Sequence, residues 1–177
     1  IYGSRPMKTL ITGAAGFIGF HLAKNLIDQG EKLILIDNFS RGRPDDDFKS
    51  LIENQNVTFV NADLTIENPF DELDQEISRV YHLAAINGTE NFYNIPDTVL
   101  RVNILSTLNL LEWVKRNLDV KIVFSSSSEV YAGSLKNGLG SIPTNENIPL
   151  CINDISNVRW SYGASKLLCE NALFSYN

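Results

Sequence analysis

The run Thr9-Leu10-Ile11-Thr12-Gly13-Ala14-Ala15-Gly16-Phe17-Ile18-Gly19 sets the architecture of this chain. Thr9 to Thr12 is a short apolar run ending on glycine, the pattern of a buried strand. Beyond it Phe17, Ile18, His21/Leu22, Leu26 and Ile27 recur at helical spacing over residues 16–29, and Gly30 supplies the stop. The glycines at 13, 16 and 19 therefore stand in a strand-to-helix turn. Gly13 allows the tight turn, Gly16 lets an anion approach the unpaired amides of the helix, and Gly19 lets helix and sheet pack closely. Taken alone, the run also fits a tight turn that binds nothing.

Downstream, strand and helix patterns alternate. Residues 32–37 form a continuous apolar strand, buried on both faces. A polar loop over 40–47 and a short helix over 48–53 follow. Strands are expected at 57–60, 80–83 and 120–124, with a short helix at 69–77 and a long amphipathic helix at 97–117. Residues 132–160, rich in Gly, Asn and Pro, read as a long loop, and a last helix runs over 161–176. Buried strands alternating with helices predict an α/β fold with a doubly wound parallel sheet, Rossmann-like, with ligands at the carboxyl ends of the strands.

Asp37 closes the second strand, 18 residues after Gly19. A carboxylate there can accept both hydroxyls of a ribose and repels a 2′-phosphate, which points to NAD rather than NADP. Arg41 nearby reads two ways, as a cation able to hold that phosphate or as a solvated loop residue. Tyr162 and Lys166 stand at i, i+4 in the final helix, which places phenol and ammonium on one face. A cation beside a phenol favours the phenolate, which can exchange protons with a hydroxyl.

Composition excludes other classes. The net charge is −6 and Lys and Arg occur in no cluster beyond short pairs, which argues against nucleic acid and against a polybasic membrane patch. No apolar run reaches the length of a membrane span. Two cysteines, Cys151 and Cys169, with two histidines make no metal signature. The cysteines fit reduced thiols in a cytoplasmic protein, although two can also pair. Met7 is the only methionine and reads as the natural start, with residues 1–6 an appended lead-in and 7–177 the dinucleotide-binding domain.

The ordered set of motifs resembles the extended short-chain dehydrogenase/reductase family, the NAD-dependent nucleotide-sugar epimerases and dehydratases. It comprises TGAAGFIG at 12–19, Asp37-Asn38, Ala62-Asp63-Leu64, His82-Leu83-Ala84-Ala85, Asn103, the serine run 125–128 with Glu129-Val130-Tyr131, and Tyr162-Gly-Ala-Ser-Lys166. The resemblance spans residues 8–172 and implies NAD as cofactor and a nucleotide sugar as substrate. It implies that Gly13, Gly16, Phe17, Ile18, Gly19, Asp37 and Asn38 contact the cofactor, that Asp63 and Leu64 flank its adenine, and that Leu83, Ala84 and Ala85 line its path. Asn103 would tie elements together near the site, the other reading being an exposed helix asparagine. Lys166 would hold the nicotinamide ribose and Tyr162 would take the proton from the sugar C4 hydroxyl as hydride moves to NAD. The resemblance selects Ser127 from the four serines as the group that hydrogen-bonds the reacting oxygen.

Glu129 would remove the C5 proton in a dehydratase or decarboxylase, or is a solvent-facing acid. Ser128 stands where many dehydratases of this kind carry an Asp. Arg159 would meet a substrate phosphate or an acidic neighbour. The long helix and the Tyr162 helix would form a homodimer interface, although sheet packing explains the apolar side of the first equally well. The fold is expected to be truncated before the substrate lobe, which leaves an exposed sheet edge. Two other functions fit the residues, a reductase of a non-sugar alcohol or ketone and a non-catalytic NAD-binding regulator.

Overall fold

Strands β1 (Lys8–Thr12), β2 (Lys32–Asp37), β3 (Val57–Asn61), β4 (Ile77–His82) and β5 (Lys121–Phe124) pair in parallel in the order β3-β2-β1-β4-β5. A computed structural model describes residues 8–66, 69–73, 76–116 and 119–176. The lead-in, Met7 and Asn117 lie outside the described residues. The strand order reverses at β1, which has β2 on one side and β4 on the other. This is the Rossmann-like α/β sheet expected, and such a reversal marks where ligands bind.

Two compact units divide the chain, Ile1–Ala84 with Glu112–Ser125 and Ala85–Leu111 with Ser126–Asn177. The first holds the whole sheet together with α1 (Phe17–Asp28) and α2 (Asp46–Ile52). Ile11 of β1 and Leu33 and Leu35 of β2 pack with Ala23 and Leu26 of α1 and with Phe48 and Leu51 of α2. Within β2, residues Leu33, Ile34, Leu35 and Ile36 are all buried, each stabilising the fold by about 1.5–3 kcal/mol relative to exposure. The rings of Phe39, Phe48 and Phe59 meet pairwise beside this core. The second unit contains α3 (Thr89–Asn94), α4 (Pro96–Val114) up to Leu111, α5 (Ala132–Lys136) and α6 (Ser161–Ser175). Its apolar cluster is Phe92, Val99 and Tyr162, with Ile86 packed against them.

Several boundaries differ from the sequence reading. In the stretch read as a helix over 69–77, Pro69–Glu72 forms a single 3₁₀ turn. Its Phe70 ring is buried and lies 5.8 Å from the Trp113 ring. Ile77 instead begins β4, paired with Lys8, and a register shift then places Arg79 opposite Thr9. The strand therefore begins at Ile77 and ends at His82, against the expected 80–83. Helix α2 starts earlier than expected because the Asp45 side chain caps it, accepting from the Phe48 amide at 2.9 Å. The long loop over 132–160 contains α5 and the 3₁₀ turn Val158–Trp160. Helix α3 is not among the expected elements. It follows Gly88, whose φ of 121° suits glycine, and its polar residues hide the one that turns inward, Phe92.

Candidate functional site

In the first unit, the end of β1 is held by buried polar contacts. Thr12 Oγ1 lies 2.7 Å from His82 Nδ1 and accepts from the Ala84 amide at 3.3 Å. The turn beyond needs glycine at two places. Gly13 has φ 71°, and a Cβ there would lie 2.8 Å from the Ala84 nitrogen. A Cβ on Gly19 would lie 2.3 Å from the Gly13 carbonyl oxygen, so Gly19 lets α1 close onto the turn itself. Gly16 is the N-cap of α1 and brings no side chain over its first amides, and Phe17 and Ile18 beside it are exposed. These are the features of a helix N-terminus open to an anion.

Asp37 is tied to both segments next to it. Its Oδ2 accepts from the Ala15 amide at 2.9 Å and its Oδ1 from the Phe39 amide at 2.7 Å. A carboxylate offers about four lone-pair positions, so these two bonds leave capacity for a diol. Asn38 Oδ1 accepts from the Ser40 amide at 3.0 Å. Asp63 Oδ1 accepts from the Thr65 amide and hydroxyl at 2.8 and 2.7 Å, and Leu64 is buried. Leu83 and Ala84 are half-buried, and the Leu83 amide donates to the Thr12 carbonyl at 3.1 Å. Arg41 is exposed.

In the second unit, α6 presents Tyr162 and Lys166 together. Tyr162 is 6% exposed and Lys166 2% exposed, with Lys166 Nζ 5.8 Å from the Tyr162 ring centroid. Burial lowers the Lys166 pKa from 10.5 to about 8, against the opposing pull of Cys169 and Glu170. The ring of Phe92 stacks on Tyr162 at 4.9 Å and 13°. Sequence reasoning misses Phe92, because α3 ends at Asn94 and is too short to show a helical period.

Asn103 is buried, which removes the reading of it as an exposed helix residue. Its Oδ1 accepts from the Ile86 amide at 2.8 Å, and its Nδ2 donates to Ser165 Oγ at 3.0 Å. The Cys169 thiol donates to the Asn103 carbonyl at 3.4 Å, and burial raises the pKa of that thiol. Asn103 therefore joins α4 to α6 and to the segment after β4. Ala85, in that segment, is half-buried.

The serine run divides among several partners. Ser125 Oγ donates to the His82 carbonyl at 3.3 Å, and Ser126 Oγ bonds Glu170. Ser127 caps the 3₁₀ turn Ser128–Tyr131, its hydroxyl accepting from the Glu129 amide at 3.2 Å. That bond uses one acceptor position and not the hydroxyl proton. Glu129 and Arg159 form a two-pronged ion pair at 2.7 and 3.1 Å, so of the two partners considered for Arg159 the structure holds the acidic one. The pair with Glu129 raises the Arg159 pKa. Among the described residues no helix is long and apolar enough to cross a membrane.

The profile of the NAD dependent epimerase/dehydratase family matches residues 9–177. A UDP-N-acetyl-alpha-D-glucosaminuronate decarboxylase of Bacillus cytotoxicus is 32% identical over 172 residues, covering 96% of this chain and 50% of that protein. A UDP-glucose 4-epimerase of Schizosaccharomyces pombe is 31% identical over 174 residues, covering 97% of this chain and 47% of that protein. Among solved structures, UDP-glucose 4-epimerase from Bifidobacterium longum in complex with NAD+ and UDP has a TM-score of 0.76 at 29% identity, covering 96% of this chain and 48% of that one. The chain spans about half the length of these relatives.

Proposed function

Because the chain belongs to the NAD dependent epimerase/dehydratase family, we propose that it is the NAD-binding, catalytic portion of a nucleotide-sugar epimerase or dehydratase. The observation that carries this reading is the buried Tyr162–Lys166 pair on α6, anchored through Ser165 to Asn103. A buried ammonium next to a phenol is costly to fold and has a use in proton transfer. The residues of the first unit fit a dinucleotide: a turn that needs glycine at positions 13 and 19, an uncovered helix N-terminus, and Asp37 with lone pairs to spare.

NAD, when bound, supplies the hydride acceptor for oxidation of the sugar at C4. Tyr162 takes the proton of the C4 hydroxyl, and the Lys166 ammonium favours the phenolate that does so. With its pKa about 8, Lys166 is still mostly protonated at neutral pH. Ser127 donates its hydroxyl proton to the reacting oxygen. Gly13, Gly16 and Gly19 shape the pyrophosphate turn beside Phe17 and Ile18. Asp37 accepts the ribose hydroxyls next to Asn38, and Asp63 and Leu64 flank the adenine. Glu129 takes the C5 proton, which the C4 ketone has made acidic, in the dehydratase branch.

Incubating the full-length protein with NAD and a panel of nucleotide sugars, followed by mass spectrometry and NMR of the products, tests this reading. An epimerised or dehydrated sugar with no net NADH is expected, and Tyr162→Phe abolishes it. Net NADH production indicates a reductase of a non-sugar alcohol instead. Unchanged function of Tyr162→Phe indicates a non-catalytic regulator. The 177-residue chain by itself is expected to bind NAD weakly and turn over little. Turnover by this chain alone would overturn the view that a further lobe is needed.

A further inference from the structure

Resting on the reading of Glu129 as the base at C5, we propose that Arg159 is a positioning residue for Glu129, fixing the place and plane of its carboxylate. The guanidinium gives one N–H to each carboxylate oxygen, Nη1 to Oε2 at 2.7 Å and Nη2 to Oε1 at 3.1 Å. Two parallel bonds fix the plane of the carboxylate as well as its place. Arg159 is itself held. Its amide donates to Asn157 Oδ1 at 3.0 Å, and its guanidinium carbon lies 5.5 Å from the Trp160 ring centroid. Tyr93 of α3 adds to the electrostatic environment that keeps it charged.

The backbone of Glu129 is set from the other side. A Cβ on Gly163 would lie 3.1 Å from the Glu129 carbonyl oxygen, so glycine lets the Ser128–Tyr131 turn sit directly on α6 one residue past Tyr162. Gly163 thus sets the main chain of Glu129 and Arg159 sets its side chain, both from the stretch that carries Tyr162. In the step assigned to Glu129, the C5–H bond breaks and its electron pair passes into the C4 carbonyl to give the enolate. The proton forms an O–H bond on Glu129. A guanidinium keeps its own proton throughout the working pH range, so Arg159 supports the charge without competing as an acid. The two bonds from Arg159 occupy half of the lone-pair positions of the carboxylate and leave the rest for the proton.

The test uses full-length protein with NAD and with UDP-glucose as the probe. C5 exchange is read as deuterium uptake from D₂O, and C4 oxidation as absorbance of enzyme-bound NADH. In Arg159→Ala, C5 exchange is expected to fall on the order of tenfold or more beyond any change in C4 oxidation. Arg159→Lys, which keeps the charge and loses the fork, recovers part of it. Equal loss of both steps overturns the proposal in favour of a purely structural role. A raised KM with unchanged kcat overturns it in favour of substrate binding. Normal exchange in Glu129→Gln removes the base itself, whereas slow exchange there with normal exchange in Arg159→Ala removes only the role of Arg159.

Discussion

Replacing Lys166 by methionine is expected to stabilise the ligand-free chain at neutral pH. Lys166 is 2% exposed, and burial is the main cause that brings its pKa from 10.5 down to about 8. The folded value lies below the unfolded one, so between pH 8 and 10.5 the unfolded chain holds the extra proton. Stability therefore rises with pH through that window, reaches its full value above 10.5, and is lowest and flat below 8. At pH 7 the gap corresponds to a cost of about 3 kcal/mol, and by pH 9.5 about 2 kcal/mol of it is regained. Methionine has a similar unbranched shape and no charge, so it removes the cost and its pH dependence. Urea unfolding of both proteins at pH 7 and pH 9.5, without NAD, reads the difference as a shift in midpoint on the order of 1 M at pH 7. Comparing the two proteins cancels the titration of the groups that do not interact with Lys166; Cys169 and Glu170 are the two that do. A variant no more stable than the parent at pH 7, or a difference that does not narrow by pH 9.5, contradicts this account of Lys166.

Other substitutions test the rest of the site. Asp37→Ala is expected to weaken NAD binding roughly tenfold or more and to narrow the preference over NADP, read by calorimetric titration of both cofactors. Gly13→Ala meets both a left-handed backbone and the Ala84 nitrogen, and is expected to cost about 1–3 kcal/mol in urea unfolding. Asn103→Leu strands the Ile86 amide and is expected to destabilise the chain by about 1–3 kcal/mol, with faster amide exchange at Ile86. Tyr162→Phe keeps the ring that stacks on Phe92, so its midpoint in urea is expected to stay near that of the parent while turnover is lost.

Legibility differs from element to element for physical reasons. The strand at 32–37 is plain because four consecutive side chains are buried, which leaves an unbroken apolar run. The start of β4 is hidden by the shift in its pairing with β1, a property of two strands far apart in the chain. Helix α3 is six residues long, too short to show a helical period, and its Phe92 meets its partner Tyr162 only in the folded chain. In the site, residue types and order point to Asp37, Asn103, Tyr162 and Lys166. Their neighbours cannot be read in the same way, because a contact such as Glu129 with Arg159 spans 30 positions.

The parallel α/β sheet, the glycine turn and the helix that carries Tyr162 and Lys166 are all written in the order of residues, since each follows from local periodicity and short-range spacing. The state of those groups is not, and it emerges only when the chain is folded. Burial lowers the Lys166 pKa, Phe92 fixes the ring of Tyr162, and Arg159 takes the carboxylate of Glu129. Burial and charge pairing depend on which distant segments meet, and that is set by packing.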